Sequence, residues 1–154
     1  MKFESERKFL IKKNEWPKPE RGIAIRQGYL SSDKHHTVRI RVAGRRGLIT
    51  IKGPVQDKGR PEFEYEIPYA DAGYLLDNLC RHPLIEKTRY LVRHGEFTWE
   101  VDVFEGENEG LIIAEVEVDD PAAKPDLPDW VGKEVTGDPR YYNASLTDHP
   151  YTRW

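Results

Sequence analysis

Charged side chains recur two residues apart through much of this chain, and most such runs keep one sign. Glu4 and Glu6 precede Lys8, Arg39 and Arg41 flank Ile40, and Glu62, Glu64 and Glu66 alternate with Phe63, Tyr65 and Ile67. Lys87 and Arg89 alternate with Thr88 and Tyr90, Glu100 and Asp102 with Val101 and Val103, and Glu115 and Glu117 with Val116 and Val118. A spacing of two puts each run on one face of a strand, where like charges repel. An exposed face normally mixes signs and carries Ser, Thr, Asn and Gln, so an ordinary wet sheet face explains these runs less well than a ligand does. Arg39, Arg41 and Arg89 can fork onto phosphate oxygens, and Lys8, Lys52 and Lys87 can act as compact point charges. Glu4, Glu6, Glu115 and Glu117 are hard oxygen donors of the kind that Mg²⁺ or Mn²⁺ accepts alongside water and phosphate. Polyphosphate plus divalent metal fits both sets.

The elements that must carry these residues are mostly strands. Alternation places them near residues 3–11, 23–30, 37–43, 48–53, 62–67, 86–93, 97–104 and 112–118. Turn signals such as Lys58-Gly59-Arg60-Pro61 and His94-Gly95-Glu96 separate them, which favours antiparallel hairpins. Eight such strands suit a closed antiparallel β-barrel, in a mainly β (α+β) fold. Helices and loops would cover the apolar parity outside, and the charged parity would line a tunnel. Ala72, Leu75, Leu76 and Leu79 predict one amphipathic helix over 70–80, with Asp71 as N-cap. Pro121, Pro125 and Pro128 leave only turns or a short helix after Asp120. A last helix is expected from Pro139, capped by Asp138.

A length of 154 residues predicts one domain over 1–154. One third of the residues are charged, yet the net charge is only -3, so neither nucleic acid nor an anionic membrane is an expected partner. The mean hydropathy of -0.75 and the short apolar stretches exclude a helical bilayer span. A single cysteine, Cys80, excludes an internal disulfide framework, and no signal-peptide core stands at the N-terminus; a cytoplasmic location is expected. His35-His36 reads as a solvated turn and Cys80 as a small core residue. Trp99 reads as packing outside the barrel, and Trp154 as a terminal residue without a fixed place.

Glu4-Ser5-Glu6-Arg7-Lys8 resembles the ExExK signature of the triphosphate tunnel metalloenzymes, the CYTH superfamily. The resemblance continues in order through Arg26-Gln27-Gly28-Tyr29-Leu30, Arg39 and Arg41, Thr50-Ile51-Lys52, Glu62 to Glu66, Glu86 to Tyr90, Asp102-Val103-Phe104 and Glu115-Val116-Glu117. It ends on Glu134-Val135-Thr136, Arg140-Tyr141 and Asn143, so it spans nearly the whole chain. It implies an eight-stranded tunnel whose last helix plugs one mouth, as in the small bacterial inorganic triphosphatases. The substrate would be a small-molecule triphosphate, held by Lys8, Arg39, Arg41, Lys52, Lys87 and Arg89. The metal would lie on Glu4, Glu6, Glu115 and Glu117, with Glu62, Glu64 and Asp102 as supporting carboxylates or ligands of a second metal. Glu4, Glu6 and Lys87 are the expected catalytic groups, Lys87 either activating water or binding phosphate. Other branches of the superfamily leave open a class IV adenylate cyclase or an organic triphosphatase. A binding module without turnover stands outside these, and a homodimer is compatible with all of them.

Overall fold

The computed structural model describes residues 1–12, 15–33 and 35–154. Among these, the strands are β1 (Lys2–Glu4), β2 (Glu6–Ile11), β3 (Ile23–Ser32), β4 (Thr37–Ala43), β5 (Arg46–Lys52), β6 (Arg60–Ile67), β7 (Ile85–His94), β8 (Phe97–Phe104), β9 (Ile112–Glu117) and β10 (Val131–Glu134). The helices are α1 (Tyr69–Asn78) and α2 (Asn143–Asp148). All strand pairs are antiparallel, in the order β1-β6-β5-β4-β3-β7-β8-β9-β2-β10.

Two features of this sheet differ from the eight expected strands. The first expected strand is broken at Ser5: β1 pairs with β6, Glu4 opposite Arg60, whereas β2 pairs with β9, Glu6 opposite Glu117. The sheet therefore closes through the covalent chain at Ser5, whose carbonyl accepts from the Val118 amide at 2.9 Å. β10 was not expected, because Val-Gly-Lys-Glu is short and carries no alternation; it forms by adding to the free edge of β2 through Ile11 and Phe9.

The apolar parity faces outward and is covered in two places. Phe9, Trp99, Val101, Ala114 and Val116 are buried beneath Trp130 and Val131, with Trp99 ring centroids 5.6 Å from Phe9 and 5.8 Å from Trp130. Ala72 and Leu76 of α1 cover Ile40 and Val42 of β4, and Cys80 completes that cluster. α1 begins after Pro68, which occupies the N-cap in place of Asp71; proline's fixed φ suits a helix start, and Asp71 falls in the first turn. Leu79 lies just past the helix end and is exposed, so the apolar stripe is shorter than its spacing predicts.

The C-terminal segment closes one end of the barrel. Asp138 accepts from the Arg140 amide at 3.1 Å and starts a 3₁₀ turn over Pro139–Tyr141. Tyr142 then adopts an extended backbone, which separates this turn from α2 and divides the single expected helix in two. Tyr141 and Leu146 pack on Ile85, Phe104 and Ile113, whose parity is that of the charged inward face. The inward face thus changes from charged to apolar at this end, and α2 plugs it. Trp154 is placed as well, its ring 5.1 Å from Tyr141 and its indole N–H donating to the His149 carbonyl at 3.0 Å.

Candidate active site

The charged parity encloses a cavity of about 1060 Å³. Glu4, Glu6, Lys8, Arg39, Arg41, Lys52, Glu62, Glu64, Lys87, Arg89 and Glu115 all line it, although they come from seven strands of the sheet. Asp102 lies just behind the wall with its side chain 0% exposed, and Glu117 stands at the rim, 61% exposed and 3.5 Å from Lys2 Nζ. Gly59 helps to hold the rim together: at φ 103 it brings its turn against the Glu4 carbonyl, where a Cβ would collide with that oxygen.

Strand register places cations opposite acceptors. Lys8 faces Glu115, Lys52 faces Glu62, Arg89 faces Asp102 and Arg41 faces Gln27. Lys8 Nζ is 3.7 Å from Glu115 and 3.8 Å from Glu6, and Lys52 Nζ is 2.7 Å from Glu4 and 3.6 Å from Glu62. Asp102 accepts from Arg89 Nε at 2.8 Å and Nη2 at 3.0 Å, and its Oδ2 lies 2.8 Å from Lys87 Nζ. Glu100 holds the remaining Arg89 nitrogen at 3.1 Å. Arg39 Nη2 donates to Thr50 Oγ1 at 3.1 Å and lies 3.5 Å from Glu64, while its Nε is buried without a partner.

Gln27 and Thr50 are neutral wall or support residues that single-sign charge runs do not flag. Glu100 belongs to such a run with Asp102, and its contact with Arg89 gives it a supporting role that spacing alone does not assign. A signal for Gln27 was present in the parity, since it stands between Ile25 and Tyr29 on one face of β3.

The electrostatics follow from crowding away from bulk water. Burial, then the charge of Glu115, pushes the Glu6 carboxyl up to about 8. Burial alone would raise Glu115 too, but Lys8, Arg89 and Lys87 together hold it well below the usual carboxylate range. Burial raises Glu4, assisted by its hydrogen bond with Glu62 and opposed by Lys52. Burial lowers Lys87 to about 7; Asp102 opposes the shift, and Arg89 and Arg41 add to it. Burial, then Arg39 and Arg89, lowers Arg41 to about 9.

These shifts predict an unusual stability profile for the protein free of divalent ions. A carboxyl such as Glu6, with a higher pKa folded than unfolded, makes the folded state bind the extra proton, so stability falls as pH rises from 4.5 towards about 8. Lys87, lowered from 10.5 to about 7, makes the folded state bind fewer protons above about 7, so its contribution rises with pH there. A minimum in Tm between about 7 and 8 is expected in chelator. A Tm that climbs steadily from pH 4.5 to 8 would contradict these shifts.

The donor set fits a hard divalent cation in kind and charge. Burial, then the charge of Glu115, raises the Glu6 carboxyl despite Lys8, and a divalent ion beside the two carboxylates would counter that shift. Among the described residues, no three carboxylate, His or Cys side chains already converge on one point, because Lys8 and Lys52 stand between the carboxylates. Ion binding would therefore proceed by exchange with these ammonium groups.

The CYTH domain family matches residues 2–151 of this chain. The chain belongs to the CYTH family. Among CYTH relatives, it is 48% identical over 148 residues to the inorganic triphosphatase of Acetivibrio thermocellus, covering 96% of this chain and 95% of that protein. The crystal structure of the inorganic triphosphatase NE1496 is 34% identical, with a TM-score of 0.65 and coverage of 96% and 95%. A conserved hypothetical protein of Pyrococcus furiosus, 23% identical with a TM-score of 0.55 and 82% coverage of both chains, shares the CYTH fold. The family match over residues 2–151 takes in all ten strands that carry the site and its frame.

Proposed function

We propose that this chain is a divalent-metal-dependent inorganic triphosphatase, which cleaves triphosphate to pyrophosphate and phosphate within the tunnel. The observation that carries the reading is the mixed lining of one cavity: the half-buried Arg41 guanidinium, whose polar partner is a neutral amide, beside Glu6 and Glu115, which share the Lys8 ammonium group. A bound triphosphate–metal complex completes both. The extensive similarity to a protein named inorganic triphosphatase supports the substrate class.

Phosphoryl transfer asks a protein chiefly for positioning and charge neutralisation. Arg39, Arg41 and Arg89 fork onto phosphate oxygens, with Lys8, Lys52 and Lys87 as point charges around them. Lys87 donates to Asn143 Oδ1 at 2.9 Å and pairs with Asp102, contacts that favour its ammonium form and a phosphate-binding role against the burial and the Arg89 and Arg41 charges that lower it to about 7. Glu4, Glu6 and Glu115, with Glu117 at the rim, would hold Mg²⁺ or Mn²⁺, and Glu62, Glu64 and Asp102 orient the cations around them. The ion supplies charge neutralisation on the phosphate oxygens and lowers the pKa of a bound water. Among the described residues no helix is long and apolar enough to cross a membrane, and we read the protein as a single-domain enzyme of the cytoplasm.

The α2 plug gives the reading its selectivity, because a cavity closed at one end accommodates bare terminal phosphates more readily than a nucleoside. Phosphate release from triphosphate should be far faster than from ATP, thiamine triphosphate or pyrophosphate, should require Mg²⁺ or Mn²⁺, and should yield no cyclic AMP from ATP. Full activity in excess chelator would overturn the metal dependence. Cyclic AMP formation at a rate matching triphosphate hydrolysis would establish the cyclase reading instead.

A further inference from the structure

Gln27 is fully buried in β3 and touches two groups of the proposed triphosphate site. Its Oε1 accepts from Arg41 Nε at 2.9 Å and from Nη2 at 2.7 Å. Its Nε2 donates to Asn143 Oδ1 at 3.2 Å, and that same oxygen accepts from Lys87 Nζ at 2.9 Å. The orientation of both amides is fixed chemically. Arg41 and Lys87 have only donors, so each amide must turn its oxygen to its cation, which leaves the Gln27 nitrogen to meet Asn143.

The contrast with Arg89 gives this chain its meaning. Arg89 is held by the Asp102 carboxylate at 2.8 and 3.0 Å and by Glu100 at 3.1 Å, so its charge is largely neutralised within the protein. Arg41 also donates through Nε and Nη2, but both bonds converge on the single Oε1 of a neutral amide, and no carboxylate lies within ion-pair distance of it among the described residues. A neutral acceptor fixes the plane of a guanidinium without cancelling its charge. A half-buried guanidinium in a cavity wall with no carboxylate partner is stabilised by an arriving anion.

We propose that Gln27 is a positioning residue for anion binding: it orients Arg41 and, by being neutral, leaves the full Arg41 charge for a multiply charged phosphate. The inference rests on the triphosphate reading and assigns within it the source of phosphate affinity to the Gln27–Arg41 pair. It also predicts that the pair acts on ground-state binding more than on the chemical step, because the geometry is already formed in the protein alone.

The test compares wild type, Gln27→Glu, Gln27→Met, Arg41→Met and the two double variants for tripolyphosphate affinity by calorimetry and for KM and kcat. Gln27→Glu keeps the size and the acceptor but cancels the Arg41 charge; Gln27→Met keeps the volume and removes the acceptor. Both should weaken binding and raise KM by about 10- to 100-fold, the range of a lost charge-assisted hydrogen bond, with kcat changing less. In the Arg41→Met background, Gln27→Met should have little further effect, since Gln27 acts through Arg41, whereas Gln27→Glu there leaves an unpaired carboxylate and should weaken binding further. Gln27→Glu with wild-type affinity, or losses that multiply in the Gln27→Met/Arg41→Met double variant, would overturn the proposal. If one Gln27 variant does not unfold cooperatively, the other decides the question. Wild type that neither binds nor hydrolyses tripolyphosphate would instead refute the functional reading and this inference with it.

Discussion

Glu4→Gln and Glu115→Gln should each lower divalent-dependent phosphate release by about 100-fold or more, because an ion worth several kcal/mol to the reaction loses an anionic donor, at about 1.4 kcal/mol per factor of ten. Both substitutions keep the size of the side chain and change its charge, which is the quantity the cavity depends on. Glu4 faces the cavity beside Lys52 at 2.7 Å, and Glu115 stands 3.7 Å from Lys8, so each variant also leaves an ammonium group with less negative charge beside it. The folded state should survive, since the apolar clusters that hold the barrel lie on the opposite parity. Calorimetric titration with Mn²⁺ and phosphate release should fall together in each variant. Loss of cooperative unfolding would show that these carboxylates are structural, and wild-type turnover would remove them from the site. Glu117→Gln should have the smallest effect of the carboxylate set, because Glu117 is at the rim beside Lys2.

Asp102→Ala should destabilise the protein by about 3–5 kcal/mol, the cost of removing one partner from a buried ion pair. Asp102 holds Arg89 through two hydrogen bonds and lies 2.8 Å from Lys87, and it is fully enclosed. Its removal leaves Lys87 with Asn143 as its polar neighbour and Arg89 with Glu100. Burial alone would raise the Asp102 pKa, but Lys87 and Arg89 outweigh it and hold the group below 3.8. The folded pKa is therefore the depressed one. Its contribution is present above 3.8 and is lost as pH falls through the folded value, so the gap between wild type and Asp102→Ala should narrow in acid. Denaturant unfolding at neutral and acid pH measures both effects. A variant within about 1 kcal/mol of wild type at neutral pH would mean that solvent already relieves the pair.

The period-two runs of single-sign charge by themselves determine much of this protein. Alternation fixes which residues share a face, so the placing of Arg39 with Arg41, or of Lys87 with Arg89, on one wall followed from spacing alone. The apolar parity was equally legible as the outer core, and with it Trp99 and Cys80. Spacing within a strand does not state which strands become neighbours, however, because register is set by long-range pairing. Only the tertiary structure opposed Arg89 to Asp102 and Lys8 to Glu115, and it alone placed Glu117 at the rim. The break at Ser5, the edge strand β10 and the division of the last helix depend on free sheet edges and packing partners, which carry no local sequence period. Gln27 shows the limit most clearly. Its neutrality hides it from any search for charge, yet that neutrality beside Arg41 is what leaves a cation in the wall with its charge available to an anion.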